Sequence, residues 1–221
     1  MSMSKQRRRL HPDEFAAGPR PPLGTEAACE LLIGASARAA ILVEGWSDQA
    51  ALESLALKRG WDLTAEGIGV VPMGGITNIG KFAQALGPRG LQVRLAGLCD
   101  AAEEAYVTQT LRRMGLGSTQ TREEREALGF FVCEADLEDE LIRALGTAAV
   151  ERVLEGEGEL ASFRKFQEQP AQLGRSTHAH LRRFMGTRAR RKIRYGSLLV
   201  EALPLERVPR ALDLVLTHHR G

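Results

Sequence analysis

Four short apolar runs punctuate the middle of this chain, and a stretch of helical character follows each one. AAILVEG (39–45) leads into SDQAALESLALKRG (47–60), and GIGVV (67–71) into NIGKFAQAL (78–86). LQVRLAGLC (91–99) leads into AEEAYVTQTLRRMG (102–115), and GFFVCE (129–134) into DLEDELIRALG (136–146). Short, nearly continuous apolar runs rich in branched residues read as strands buried on both faces. The stretches between them carry apolar residues at helical spacing, as at Ala51, Leu52, Leu55 and Ala56, and end on glycines such as Gly60 and Gly146. A further helix is expected over 25–38, capped by Thr25. Strict alternation of strand and helix predicts an α/β fold: a four-stranded, mainly parallel sheet with helices on both faces. From about 147 onward the chain reads as wholly helical. The expected organisation is a basic, Pro/Gly-containing flexible tail (1–24), an α/β domain (25–146) and a helical basic extension packed on it (147–221).

In an open parallel sheet the ligand site lies beyond the carboxyl ends of the strands. Here those ends are acidic. Glu44 closes the first run, Asp100 follows the third, and Asp136 and Glu138 follow the fourth; Asp48 lies one helical turn past Glu44. Two carboxylates about 5 Å apart repel by roughly 3 kcal/mol at an effective dielectric near 20. Several such pairs on one rim call for protonation or for a cation between them, and all-oxygen donors favour Mg2+ or Mn2+. Asp48 and Asp136 are also well placed as a first-turn acid and a helix cap. Glu44, at the end of an Ile-Leu-Val strand, has no such local reason to be charged.

The second run ends in VPMGGITNIGKF (71–82). From Gly75 it spells G-x-x-x-x-G-K, but a nucleotide-binding P-loop needs Ser or Thr next for its magnesium ion, and this chain has Phe82. The stretch reads instead as a glycine turn, Gly74-Gly75, before a helix starting near Thr77 or Asn78, with Lys81 solvated on that helix.

The net charge of +2 conceals segregation. Residues 1–20 carry five Lys/Arg against two Asp/Glu, residues 21–160 carry 12 against 22, and residues 161–221 carry 13 against four. An acidic body with a basic C-terminal segment suits a metal in one part and a polyanion held by the other. Cys29, Cys99 and Cys133 form no CxxC pair, so reduced, buried thiols and a cytoplasmic setting are expected. No apolar run approaches the roughly 20 residues of a membrane span. His178 and His180, at i and i+2 on a helix, face apart and are expected at the surface; His218 and His219 are expected on a solvated end.

Taken jointly, these segments resemble the TOPRIM half of the OLD (overcoming lysogenization defect) family of nucleases. LVEGWSDQAAL (42–52) is similar to the first TOPRIM motif, GLCDAAEE (97–104) to the second, and FFVCEADLEDEL (130–141) to the later acidic motif. Glu44 and Asp48 fill the family's E-x-x-x-D, Asp136 and Glu138 its D-x-E, and Gly74-Gly75 its phosphate-side loop. RRKIRYG (190–196) is where the family places a catalytic lysine, and Lys192 is the candidate. The second motif departs from the usual D-x-D: Ala102 stands at the second position, and Glu103 or Glu104 is left to substitute. Members of the family join an ATPase to the TOPRIM part. Only 38 residues precede the first strand here, without a P-loop, so any ATP control would have to come from a separate chain.

The resemblance implies divalent-metal-dependent phosphodiester hydrolysis in DNA or RNA. Glu44, Asp48 and Asp136 are expected to serve mainly one ion, Asp100 and Glu138 mainly a second, with Glu44, Asp100 and Lys192 as the catalytic set. Arg188, Arg190, Arg191 and Arg194 would grip the nucleic-acid backbone, unless they form merely a solvated basic face. A homodimer is a further expected partner state; no membrane is expected. Two other functions fit the same motifs, a non-catalytic nucleic-acid-binding or regulatory module and a TOPRIM nucleotidyl transferase.

Overall fold

The structure is a computed structural model that describes residues 22–117 and 120–220; most of the tail expected at 1–24 lies outside the described residues. Four parallel strands, β1 (Ala39–Val43), β2 (Ile68–Pro72), β3 (Arg94–Cys99) and β4 (Phe130–Val132), lie in the order β2-β1-β3-β4. Ala39 pairs in register with Ile68 on one side and with Arg94 on the other, and Gly97 pairs with Phe130. The strands alternate with α1 (Thr25–Gly34), α2 (Trp46–Lys58), α3 (Ile79–Leu86), α4 (Glu104–Arg113), α5 (Arg122–Ala127) and α6 (Leu137–Leu145). Then come α7 (Thr147–Gly156), α8 (Leu160–Gln167), α9 (Thr177–Gly186), α10 (Ala189–Ala202) and α11 (Arg210–Thr217). The expected α/β class, parallel sheet and helical C-terminal segment are all present.

All five residues of β1 are buried, because both of its faces are covered. Ala39, Ile41 and Val43 face a core built with α2, α6 and the C-terminal helices; Ala40 and Leu42 face a second core built with α1, α3 and α4. The chain leaves β1 for β2 on one side, then returns past β1 to β3 on the other. The reversal opens the crevice between the ends of β1 and β3, which is where such sheets bind ligands.

Three local departures have local causes. α1 stops at Gly34 rather than 38, because Ser36 turns left-handed at φ 50. β3 begins at Arg94, because Gln92 at φ 62 still belongs to the preceding turn. α5 was not expected, yet Thr121-x-x-Glu124 is a capping box: Thr121 Oγ1 accepts from the Glu124 N–H at 3.2 Å, and Glu124 Oε2 accepts from the Thr121 N–H at 3.0 Å.

The C-terminal helices complete one side of the sheet. α10 lies against α2 so closely that a Cβ on Gly196 would meet the Ser47 carbonyl oxygen at 2.7 Å. Lys58, at the end of α2, donates to the carbonyls of Val200, Glu201 and Leu203 at 3.2, 2.6 and 2.5 Å, which satisfies the open end of α10. α11 buries Ala211, Leu212, Val215 and Leu216 beside β3 and β4. No helix among the described residues is long and apolar enough to cross a membrane.

Candidate metal centre

Glu44 leaves the end of β1, and its carbonyl accepts the Gly75 N–H at 3.0 Å, so the glycine turn after β2 is pinned beside it. Gly74 and Gly75 hold φ 70 and 121, which an L side chain would strain. Lys81 is exposed on α3, as expected of a solvated residue on that helix. Asp48, only 9% exposed, reaches back from the first turn of α2 and accepts the Gly45 N–H at 2.9 Å. Its helix-start role and its place beside the acidic rim therefore coexist.

Asp100 leaves the end of β3 and heads a 3-10 turn, Ala101–Glu103. The Glu103 N–H returns to the Asp100 carbonyl at 3.0 Å, and that winding carries the Glu103 carboxylate back to the rim. One oxygen from each of Glu44, Asp100 and Glu103 lies within 4.8 Å of the others. Glu103, left by the sequence as a substitute for the missing second aspartate, is the one the backbone delivers. Glu104 points away and pairs with Arg125.

The charges in this cluster are strained. Burial first, then Asp48, Asp136 and Glu44, push Asp100 up to about 8, with Lys192 opposing. Burial, the Glu44 charge and a hydrogen bond with Glu44 push Glu103 up to about 7. Burial lifts Asp48 to about 6 against the Gly45 N–H and Lys192. Burial also lifts Glu138 to about 7 against Lys192. An all-carboxylate donor set, strained in this way and with the Glu103 Oε2 buried without a hydrogen-bond partner, fits a hard divalent cation.

The D-x-E limb stands beside this cluster. Glu44 gathers most tightly with Asp100 and Glu103, while its charge also acts on Asp48, and Asp48 and Asp136 both act on Asp100. Asp136 caps α6, its Oδ1 accepting the Asp139 N–H at 2.8 Å, while its Oδ2 accepts Arg182 Nε at 2.7 Å. Glu138 is buried, and its Oε2 lies 3.3 Å from Lys192 Nζ. Lys192, on α10, thus stands beside the rim. Burial opposes its charge, but Glu138, Asp48 and Asp100 outweigh that and hold its pKa above the ordinary value.

The basic cluster divides. Arg188 and Arg190 are exposed. Arg191 is buried: it donates to Glu159 at 3.0 and 3.1 Å and to Thr187 Oγ1 at 2.7 Å, and lies 3.9 Å over the Phe184 ring. Arg194 pairs with Glu157. Arg191 therefore fastens α10 to α9 instead of facing solvent, while the Arg194 side chain stays about half exposed beside Glu157. The sequence reading missed Arg175, Arg182 and Arg183. With Lys192, Asp136 and Glu138 they line a cavity of about 500 Å³ beside the acidic rim. The Arg182-Arg183 pair, preceding FMG at the end of α9, was the available signal.

Two histidine expectations fail. His180 is buried, with Nε2 2.8 Å from the Gln172 carbonyl, because α9 turns it toward the loop before that helix. His219 is 2% exposed, and burial holds its pKa down at about 4, because α11 packs its end under the sheet edge. Cys99 and Cys133 are buried free thiols, but Cys29 is only half-buried.

Residues 37–101 match the family model of the overcoming lysogenization defect protein-like TOPRIM domain. No curated protein matches the chain. Among solved structures, the C-terminal region of the Xanthomonas campestris pv. campestris OLD protein aligns at 25% identity with a TM-score of 0.63, covering 86% of this chain and 94% of that one. The C-terminal region of the Burkholderia pseudomallei OLD protein shares the fold at 22% identity and a TM-score of 0.60, covering 83% and 97%. Residues 37–101 are thus an OLD-like TOPRIM domain, and the chain has the fold of the C-terminal region of OLD proteins over most of its length.

Proposed function

We propose that this chain hydrolyses phosphodiester bonds in nucleic acid, with a divalent cation, Mg2+ or Mn2+, held by Glu44, Asp100 and Glu103. The observation that carries the reading is the convergence of those three carboxylates, from the ends of β1 and β3, at the point where the strand order reverses. A bound divalent cation supplies Lewis-acid polarisation of a phosphate and makes a water nucleophilic near neutral pH. The protein supplies the rest. Asp48, buried behind Glu44, adds negative charge that favours a cation. Lys192 keeps its proton and presents Nζ to the rim, where it offsets charge developing on the phosphate. Arg175 and Arg183 line the adjoining cavity and can hold neighbouring phosphates without reading bases.

Glu44→Gln keeps the shape of the side chain and removes its charge. It is expected to reduce Mg2+- or Mn2+-dependent cleavage of DNA or RNA by at least ~10²-fold, with an unchanged circular dichroism spectrum. Purified protein that cuts neither polymer with either ion, or a variant that cuts as well as the parent, would defeat the reading. Binding that needs no divalent ion and falls steeply with salt, without turnover, would mark a binding module instead.

A further inference from the structure

Among the described residues every other Phe, Tyr and Trp is buried or half-buried, but Tyr106, in the first turn of α4, is 40% exposed. A single aromatic side chain at the surface is ordinary; the place of this one is not. Glu103 caps α4 and Tyr106 lies three residues on, so the two side chains are neighbours on the helix. The phenol hydroxyl donates to the Thr77 carbonyl at 3.1 Å. Thr77 belongs to the short turn after Gly75, whose own N–H is held by the Glu44 carbonyl. Tyr106 thus spans from the helix that carries Glu103 to the loop fastened to Glu44. The exposed residues next to it, Ala102 and Ala105, are small and give its ring little cover.

The two sides of the rim are equipped differently. α3 and α4 pack on one face of the sheet, α9 and α10 on the other. Arg175, Arg183 and Lys192 line the cavity on the α9–α10 side. Tyr106 stands on the α3–α4 side, and the carboxylates at the strand ends lie between. A strand whose phosphates run from the cavity across those carboxylates therefore brings its next nucleotide to Tyr106. A base within a duplex has both faces taken up by its neighbours and cannot lie on a ring fixed to the protein. An unpaired base can, whatever its identity, because every base has a π-face.

Resting on the phosphodiester reading above, we propose that Tyr106 is a stacking platform for an unpaired base beside the scissile phosphate, and that the substrate class is single-stranded nucleic acid. Tyrosine has only two side-chain torsions, and the Thr77 hydrogen bond already restrains them, so stacking costs little further order. Tyr106 positions the strand and takes no part in breaking the bond.

Short oligonucleotides carrying 2-aminopurine at successive positions, made as DNA and as RNA, test this by anisotropy and fluorescence with Ca2+ in place of Mg2+. At one position the probe is expected to be quenched when the parent protein binds. Tyr106→Ala is expected to abolish that quenching and weaken single-strand binding about 10-fold, with duplex binding unchanged. Tyr106→Phe, which keeps the ring and loses the hydroxyl, should retain the quenching. An abasic site at the quenched position should weaken the parent protein as much as Tyr106→Ala does, and add nothing to that variant. The abasic measurement on the parent involves no substitution and stands even if Tyr106→Ala is unstable. Full single-strand affinity in Tyr106→Ala, an equal loss on duplex, or an abasic site without effect overturns the platform, and cleavage with Mg2+ by the parent then leaves the hydrolytic reading in place. Stacking by a parent protein that cuts neither polymer keeps the platform and defeats hydrolysis. No binding of either polymer overturns both.

Discussion

Asp100 sits where burial and three neighbouring carboxylates all disfavour its charge, and its pKa of about 8 makes the metal-free protein pH-sensitive in a definite direction. A carboxyl whose pKa is raised on folding binds its proton more tightly in the native state. It therefore contributes stability below its unfolded value of 3.8, and that contribution is lost as pH rises toward about 8. Glu103 and Glu138, each raised to about 7 from 4.5, act in the same sense. The melting temperature of metal-free protein is expected to fall between about pH 5 and 8, and Mn2+ is expected to restore it most at the upper end. Asp100→Asn should flatten the slope. A melting temperature that rises over that interval, or a slope the substitution leaves untouched, would show that these carboxyls are not strained as described. Much of this was legible from spacing, because an acid at the end of an apolar strand has few local uses. What spacing could not give was the partition. Whether Glu103 or Glu104 replaces the missing aspartate depends on a single 3-10 turn, and the pairing of Asp136 with Arg182 joins residues on separate helices.

At the scale of elements, α2 and α10 govern how firmly Lys192 is presented. Gly196 lies one helical turn after Lys192, and its missing side chain is what lets α10 approach the backbone of Ser47, next to Asp48. Gly196→Ala would put a Cβ 2.7 Å from a backbone oxygen, a contact no rotamer change can relieve. Helix propensity favours alanine by up to ~1 kcal/mol, while overpacking costs typically 1–3 kcal/mol, so a net loss of stability is expected. The displacement should also draw Lys192 away from Glu138, so cleavage should fall in native buffer where the variant is still fully folded. Equal or higher stability by urea titration would show that the helices are not in close contact. The sequence revealed α10 as a helix from its own periodicity. It could not reveal that α10 lies on α2, because that contact joins residues about 150 positions apart and its chief signal is an absent side chain.

For the whole molecule, the segregation of charge along the chain proves to be largely an internal matter. The basic C-terminal segment folds back over the acidic body, where Arg182 meets Asp136, Lys192 meets Glu138, Arg191 meets Glu159 and Arg194 meets Glu157. A tally of charges cannot separate cations held by a neighbouring helix from those left facing solvent, which is why neither the burial of Arg191 against Glu159 nor the Arg194–Glu157 pair shows in the sequence. The same fold-back makes the C-terminal helices part of the core. Tyr195, Leu199, Val200, Leu212, Val215 and Leu216 are each no more than 1% exposed and share one cluster with Ile41, Val43, Leu98 and Phe131. Ending the chain after Gly146 would uncover α2 and one side of β3 and β4. Even ~300 Å² of apolar surface returned to water costs about 7.5 kcal/mol, against a total stability of roughly 5–15 kcal/mol for a typical protein. The truncated chain is therefore expected to bind a hydrophobic dye and to unfold without a cooperative transition, although it keeps every carboxylate of the triad. If residues 1–146 instead give a sharp melting transition and dispersed amide resonances, the α/β part is a self-sufficient unit and the extension is an accessory to it.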